Sequence, residues 1–502
     1  MKIKRKTALL LTVLLAFILI SCSSGNDADN GGSGGGADAD SNANGPVQES
    51  GEASPENPAE EIKDSLPEAD YGGYDFRIYM RDTAQTNKDF YIESQTGDQL
   101  DDALYKRNKD IEERFNINLK FYFYPYDDWS VSTLSRIIKS EDDGFDMGAI
   151  HTATVFTMAA DNLLLDWREN MPYIDFGAPW WPDDIIDNLS IFNKLYSGTG
   201  DITYLYLDYT ACILFNKEMF KERGLDYPYA DVSNGKWTLD SFMSTVKQNT
   251  LDLNGDGAIT PDADRLGLSI YNGWSYPVEV FYCGGDRVIS INNDGFPELT
   301  MYNERTVQIY EKFMDMVNGD AAHINELNSA IDLFRDERAL FSNNSLEIVT
   351  EYRILDFEFG ILPLPKYDEN TPKYYAPLNQ NTTSIIAPVT ASNTERTSMI
   401  IEAFAAEGYR SITPTYYDIS LKTKQARDDE SLEMLDYIRD GIICDYGQVD
   451  VTLVGDGLNN FGAQLVGFQY SEINNPSFTL LYERNKEIVE NNIARLKEKY
   501  GY

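Results

Sequence analysis

Between Lys194 and Phe242 the chain switches from one local periodicity to another, and this constrains the fold more than any other stretch. Gly198 and Gly200 punctuate a loop, and Ile202 to Phe215 is dense in β-branched and aromatic residues, so it reads as extended. At Asn216 the pattern changes. Glu218, Met219, Phe220 and Arg223 read as a short helix, Gly224 as its C-cap, and Leu225 as the residue that packs behind it. After a loop containing Pro and Gly, Thr238 is placed to cap a second helix opening Leu239-Asp240-Ser241-Phe242.

The same grammar holds upstream. Asp75 to Met80 alternates as a first strand, Asp101 to Phe115 puts Leu104, Ile111 and Phe115 on one helical face, and Ile117 to Tyr122 supplies a second strand. Strand, helix and strand imply a βαβ unit and a mainly parallel sheet. A helix near Ser132 to Lys139 leads into a third strand across Gly144 to His151. Downstream, helices are expected at Asp240–Asn249, Glu304–Val317, Ala330–Ala339, Thr394–Glu407, Glu430–Arg439 and Tyr482–Tyr500. Leu251 to Gly267 reads as a loop, and Leu340 to Ser342 and Phe357 to Pro365 as strands. At 502 residues the chain has room for two domains with their own cores.

The N-terminus reads as an export signal over residues 1–21. Lys2, Lys4, Arg5 and Lys6 precede an apolar core from Ala8 to Ile20 that is short for a bilayer span. Leu19-Ile20-Ser21-Cys22 resembles a bacterial lipobox, which implies cleavage before Cys22 and acylation there, an anchor made stable by several acyl chains. Residues 22–70 are rich in Gly, Ser, Asn, Asp and Glu and read as a disordered tether. A formal charge of −40 repels phosphate backbones and excludes nucleic acid as a partner. With two histidines, His151 and His323, little scope remains for His-based zinc or nucleophilic catalysis. Cys212, Cys283 and Cys444 are an odd set, so no disulfide is assigned.

Phe215-Asn216-Lys217, Gly224-Leu225 and Gly235-Lys236-Trp237-Thr238, in that order, resemble the crossover of the family 1 extracellular solute-binding proteins, the sugar-binding lipoproteins of bacterial ABC importers. Gly144 to His151, Asn162 to Trp167 and Phe357 to Pro365 match further landmarks of that family. The resemblance implies an α/β, two-lobe, type II periplasmic-binding-protein-like fold. The first lobe takes 71–201 plus 383–431, the second 202–382 plus 432–502, with Tyr374 to Ala387 as the second crossing. It implies a monomer on the outer face of the cytoplasmic membrane that captures a carbohydrate and passes it to permease subunits without reacting with it. No cofactor is required. Binding peptides or other small solutes on the same fold, or acting on extracellular glycans, are the alternatives. The acid pair that a glycosidase needs is not inferable among 82 acidic residues.

A sugar site combines aromatic platforms with hydrogen-bonding side chains. The aromatic candidates beside loop edges are Trp180, Trp181, Tyr209, Trp274, Tyr276 and Tyr375. By resemblance Asp146 on the third strand stands at the carboxyl edge of the sheet, and Asp208, Tyr209 and Asn381 face the cleft from the crossings. Asp252 to Thr260 resembles the start of an EF-hand loop, with Asp252, Asn254 and Asp256 as ligands, Gly257 at the turn and Ala258 lending its carbonyl. Position twelve holds Ala263, not Glu, so Asp264 or Asp262 would complete a structural calcium site; the other reading is a solvated acidic turn.

Overall fold

The computed structural model of the chain describes residues 62–83, 87–140, 143–270, 279–319, 321–324, 332–421, 429–450 and 477–502. Strand β1 (Tyr74–Arg81) is followed by helix α1 (Gln99–Phe115) and strand β2 (Ile117–Tyr124), then by α2 (Ser132–Lys139), β3 (Met147–His151), α3 (Thr152–Ala160) and β4 (Ser197–Gly198). The second group comprises β5 (Ala211–Asn216), α4 (Lys217–Arg223), α5 (Leu239–Gln248), β6 (Leu266–Ile270), α6 (Glu304–Asn318), β7 (Ala322–Ile324), β8 (Ala339–Ser345) and β9 (Phe359–Leu362). The chain then returns through β10 (Thr383–Ile386) and continues into α7 (Thr394–Glu407), α8 (Thr413–Leu421), α9 (Asp429–Asp440) and α10 (Phe478–Lys499).

Two five-stranded mixed sheets result. The first runs β2-β1-β3-β10-β4 and the second β9-β5-β8-β6-β7. β1 pairs parallel with β2 and β3, whereas β10 lies antiparallel between β3 and β4. A strand from far along the chain therefore completes the first sheet, which requires the backbone to leave through 199–210 and come back through 363–382.

Local chemistry explains the helix ends. The Asp98 carboxylate accepts from the amides of Leu100 and Asp101 at 3.0 and 3.2 Å, and Asn116 closes α1 in the left-handed conformation at φ 48°. Leu104, Ile111 and Phe115 are buried as expected. Asn216 accepts from Met219 N at 2.9 Å, Gly224 ends α4 at φ 65°, and Thr238 with Ser241 forms a capping box. Behind the second sheet Cys212, Leu214, Phe334, Phe359, Leu435 and Ile438 form an apolar cluster of their own, and through it α9 packs on β9.

Three expectations change. The strand read over Ile202–Phe215 is confined to Ala211–Asn216 because Leu205–Asp208 turns as a helix. There the Thr203 hydroxyl accepts from Leu205 N and the Thr210 hydroxyl donates to Tyr206 O, so local side-chain bonds overrule β propensity. Of the helix expected at Ala330–Ala339, the first two residues lie outside the described set and the rest makes turns up to β8. Asp332 accepts from the amides of Phe334 and Arg335, and Glu337 adopts φ 53°. The tether does not extend to residue 70, since Asp64 pairs with Arg114 at 2.7 Å and Leu66 packs on the core.

One buried ion network ties these parts together. Asp146, immediately before β3, is fully buried; one oxygen accepts from the Arg77 amide and Nε at 2.9 and 3.0 Å, the other from the Tyr74 hydroxyl at 3.0 Å and Arg396 Nη2 at 3.2 Å. Arg396 belongs to α7 and lies 3.5 Å over the Tyr74 ring. The network thus joins β1, β3 and the helix that follows the return strand. Arg77 keeps Asp143 at 2.7 Å, but removing Asp146 takes the carboxylate away from buried Arg396, so Asp146→Ala is expected to cost about 3–5 kcal/mol in chemical denaturation. A loss below about 1 kcal/mol would show the network to be dispensable.

Candidate ligand-binding site

The carboxyl ends of both sheets meet at the crossings. β1 ends at Arg81 and β3 at His151. Next to them Thr152 N donates to Thr382 O at 2.9 Å and Ala153 N to Gln380 O at 3.2 Å. From the second sheet, β8 ends in Asn343-Asn344-Ser345. The next two amides, of Leu346 and Glu347, donate to Thr210 O at 3.0 Å and Asp208 O at 2.8 Å. Open α/β sheets bind ligands beyond such strand ends.

On the first sheet's side the Arg81 guanidinium lies 3.9 Å from the Trp129 ring centroid and 4.6 Å from that of Tyr126. Its Nε donates to Tyr126 O at 2.7 Å, and Nη1 stands 3.1 Å from His151 Nδ1. Burial and the neighbouring cation drive the His151 imidazole down to about 3, so it stays neutral and can accept from Arg81. On the first crossing, half-buried Tyr209 is in electrostatic reach of Glu347, Asp208, Asp89 and Arg81, groups from both sheets. Burial raises the Asp208 carboxyl to about 6, although it accepts from the Tyr416 hydroxyl at 2.8 Å. Burial lifts Asp89 to about 7 against the hydrogen bond from Thr203 and the charge of Arg107. Asn381 lies on the second crossing, its amide N–H bonded to Asn379 Oδ1 at 2.9 Å.

Of the residues expected from sequence, Asp208, Tyr209 and Asn381 therefore stand on the crossings, at these strand ends. Asp146 does not: it precedes β3, at the amino end of the sheet, inside the ion network described above. Trp181 is buried too. Its indole donates to Glu402 Oε2 at 2.8 Å, Trp180 donates to Oε1 at 2.9 Å, and the Trp181 and Trp167 rings cover Gly198, where a Cβ would meet them at 2.9 and 2.6 Å. Trp180 and Trp181 are core residues because a carboxylate takes up both of their polar atoms. The Tyr375 ring packs on Gly285, beside Arg287 and Asp184. Trp274 and Tyr276 lie outside the described residues. Sequence reasoning missed Tyr126 and Trp129, yet the Pro125 turn straight after the β2 pattern marked them as loop residues at a strand's carboxyl end.

In the acidic loop, Asp252 accepts from Gly255 N at 2.6 Å and Gly257 N at 2.8 Å. Asn254 accepts from Asp256 N, Asp256 from Ala258 N, and Asp264 from Leu253 N and Thr260 N. Leu251 pairs with Arg265 at the neck. Among the described residues no group of three or more His, Cys, Asp or Glu is arranged to hold a metal.

Two sheets of this strand order, with a distant strand inserted beside β3, define the type II periplasmic-binding-protein-like fold, the fold of solute-binding proteins of ABC sugar importers. Solved structures share it. A sugar transporter from Rhizobium etli, in an open conformation, is 13% identical with a TM-score of 0.57, over 84% of this chain and 99% of its own. A cyclic α-maltosyl-1,6-maltose binding protein from Arthrobacter globiformis is 11% identical, TM-score 0.57, covering 84% and 100%. The sugar-binding protein MalE of Xanthomonas citri is 11% identical, TM-score 0.57, covering 85% and 98%. No protein-family model matches the chain, and no curated protein matches it. Among the described residues no helix is long and apolar enough to cross a membrane.

The Glu402 clamp gives a pH signature. Burial raises this carboxyl from 4.5 to about 7, outweighing the two indole bonds that favour its ionised form. The folded state then holds a proton that the unfolded chain has released, so the contribution of Glu402 is full below about 4.5 and is lost as pH rises through about 7. The wild-type minus Glu402→Gln difference in unfolding free energy should fall across that window, by no more than about 1.4 kcal/mol per pH unit. A flat difference would contradict the raised value.

Proposed function

We propose that the chain is the substrate-binding lipoprotein of an ABC importer, capturing an oligosaccharide outside the cell and delivering it to a membrane permease. The supporting observation is the composition of the strand ends: Trp129 and Tyr126 with half-buried Tyr209, set among Asp208, Glu347 and Asn381. Aromatic rings meet the C–H faces of a sugar while carboxylates and amides bond its hydroxyls. The sugar-binding names of the structures that share the fold agree with this reading.

The lobes would be 71–201 with 383–431, and 202–382 with 432–502; the membership of β10 in the first sheet supports the split. Residues 1–21 would be removed and Cys22 acylated. Ligand touching both lobes adds contacts available only when they close, and so shifts the open–closed equilibrium by its differential affinity. Micromolar affinity, about −8 kcal/mol, suits a protein that must also release its cargo.

Thermal shift of the mature chain against oligosaccharides and peptides tests the reading. A sugar at a hundredfold its dissociation constant should add about 2.7 kcal/mol of stability. Stabilisation by peptides alone would replace carbohydrate with peptide as the cargo. The loop from Asp252 to Asp264 would close on a structural calcium ion through Asp252, Asn254, Asp256 and the Ala258 carbonyl. Melting in calcium should then exceed melting in chelator, and coincident curves would retire the ion.

A further inference from the structure

Tyr122, Phe123, Tyr126 and Trp129 are all exposed large hydrophobics on one short run of chain, and Tyr126 and Trp129 are the most open of them at 59% and 52%. Exposed rings of this size are ordinarily mobile or covered. Here one guanidinium lies against both.

Arg81 is itself 3% exposed, with its Nε committed to the Tyr126 carbonyl. The Trp129 ring also meets His151 edge-on, at 5.0 Å and 81°. The loop between them is pinned from below: the Asp128 carboxylate accepts from Ser132 N at 2.9 Å and Thr133 N at 2.8 Å, at the start of α2. Each ring therefore lies against the cation while its residue stays more than half exposed. An aromatic face held in place before the ligand arrives loses little side-chain entropy on binding. The attraction between cation and ring holds it there without contributing to the core.

We propose that Trp129 and Tyr126, positioned by Arg81, form an outer stacking subsite for one ring of a neutral oligosaccharide whose other end lies at Tyr209 and Asn381 on the crossings. This rests on the carbohydrate reading above and adds the charge and minimum length of the cargo. Neutrality follows from the surroundings. The acids Asp208 and Glu347 stand close to Tyr209, and the chain carries a formal −40. Carboxylated sugars would meet like charge at the crossings. The length follows from position. The platform stands beyond the ends of β1 and β2, on the loop leading to α2, while Tyr209 and Asn381 belong to the crossings. A ligand that touches both groups reaches from the loop after β2 to the crossings.

Isothermal titration of the mature chain with linear maltose-, cellobiose- and xylobiose-based series, from the disaccharide to the heptasaccharide, tests this. Wild type should gain affinity with length in one series. Trp129→Ala should abolish that gain, binding the longest member about tenfold more weakly than wild type. Trp129→Phe should keep most of the gain. Arg81→Met should reduce the gain and Arg81→Lys, which keeps the cation, should restore part of it; that rescue marks positioning and not unfolding. An oligogalacturonate series should bind more weakly than its neutral counterparts. If Trp129→Ala and Tyr126→Ala retain the full length dependence, or weaken every length equally, the outer subsite is overturned and the carbohydrate reading stands. If wild type binds no saccharide in any series, both fall.

Discussion

The antiparallel ladder between β10 and β3 is the interaction on which the rest depends. Thr383 to Ile386 pair with His151 back to Gly148, and Ile385 and Ile386 also pair with Gly198 and Ser197 of β4. Without β10, β4 has no neighbour in the first sheet and β3 keeps only β1. Because β10 arrives after the whole second sheet has been laid down, its insertion obliges the backbone to travel between the sheets in both directions. The crossings are thus a consequence of strand order, and so is the meeting of the two carboxyl edges.

Buried charge then fixes how the layers sit. Asp146 binds Arg77 from β1 and Arg396 from α7, so the helix after the return strand is tied to the first sheet at its amino end. Asp201, at the start of the first crossing, is fully buried and accepts from Thr413 on α8, from the Tyr206 hydroxyl and from Arg439 on α9. α8 packs near α1, whereas α9 packs on β9 of the second sheet, so this carboxylate links elements that belong to different layers. Isolated buried ions are unfavourable, but each here is surrounded by donors, and breaking any one leaves a partner uncompensated.

The site works on a different balance. At the amino end of the first sheet the carboxylate is saturated with donors and inaccessible; at the carboxyl end Asp208, Asn381, Tyr209 and the Tyr126–Trp129 loop retain accessible surface. A saturated ion network occupies one edge, and accessible polar and aromatic groups are left on the other. Two of the tryptophans named from sequence, Trp180 and Trp181, went to the interior because Glu402 satisfies both indoles.

The sequence by itself determined most of the elements, though not the helical turn at Leu205–Asp208 or the turns before β8. Caps at Asp98, Asn216, Thr238 and Asn393 act within a few residues, and the apolar stripe of α1 repeats at helical spacing, so both were legible without any tertiary contact. The resemblance over 215–238 carried the fold class as well. What only the tertiary structure decided was which side chains share an edge. Whether Asp146 faces a ligand or a salt bridge turns on Arg396, 250 positions away, and whether Trp181 is a platform or a core ring turns on Glu402, 221 positions away. Trp129 keeps 52% exposure although Arg81, from the neighbouring strand, lies 3.9 Å from its ring centroid. Burial is a property of the partners that converge on a residue, and no local pattern encodes partners brought together by a strand inserted from so far along the chain.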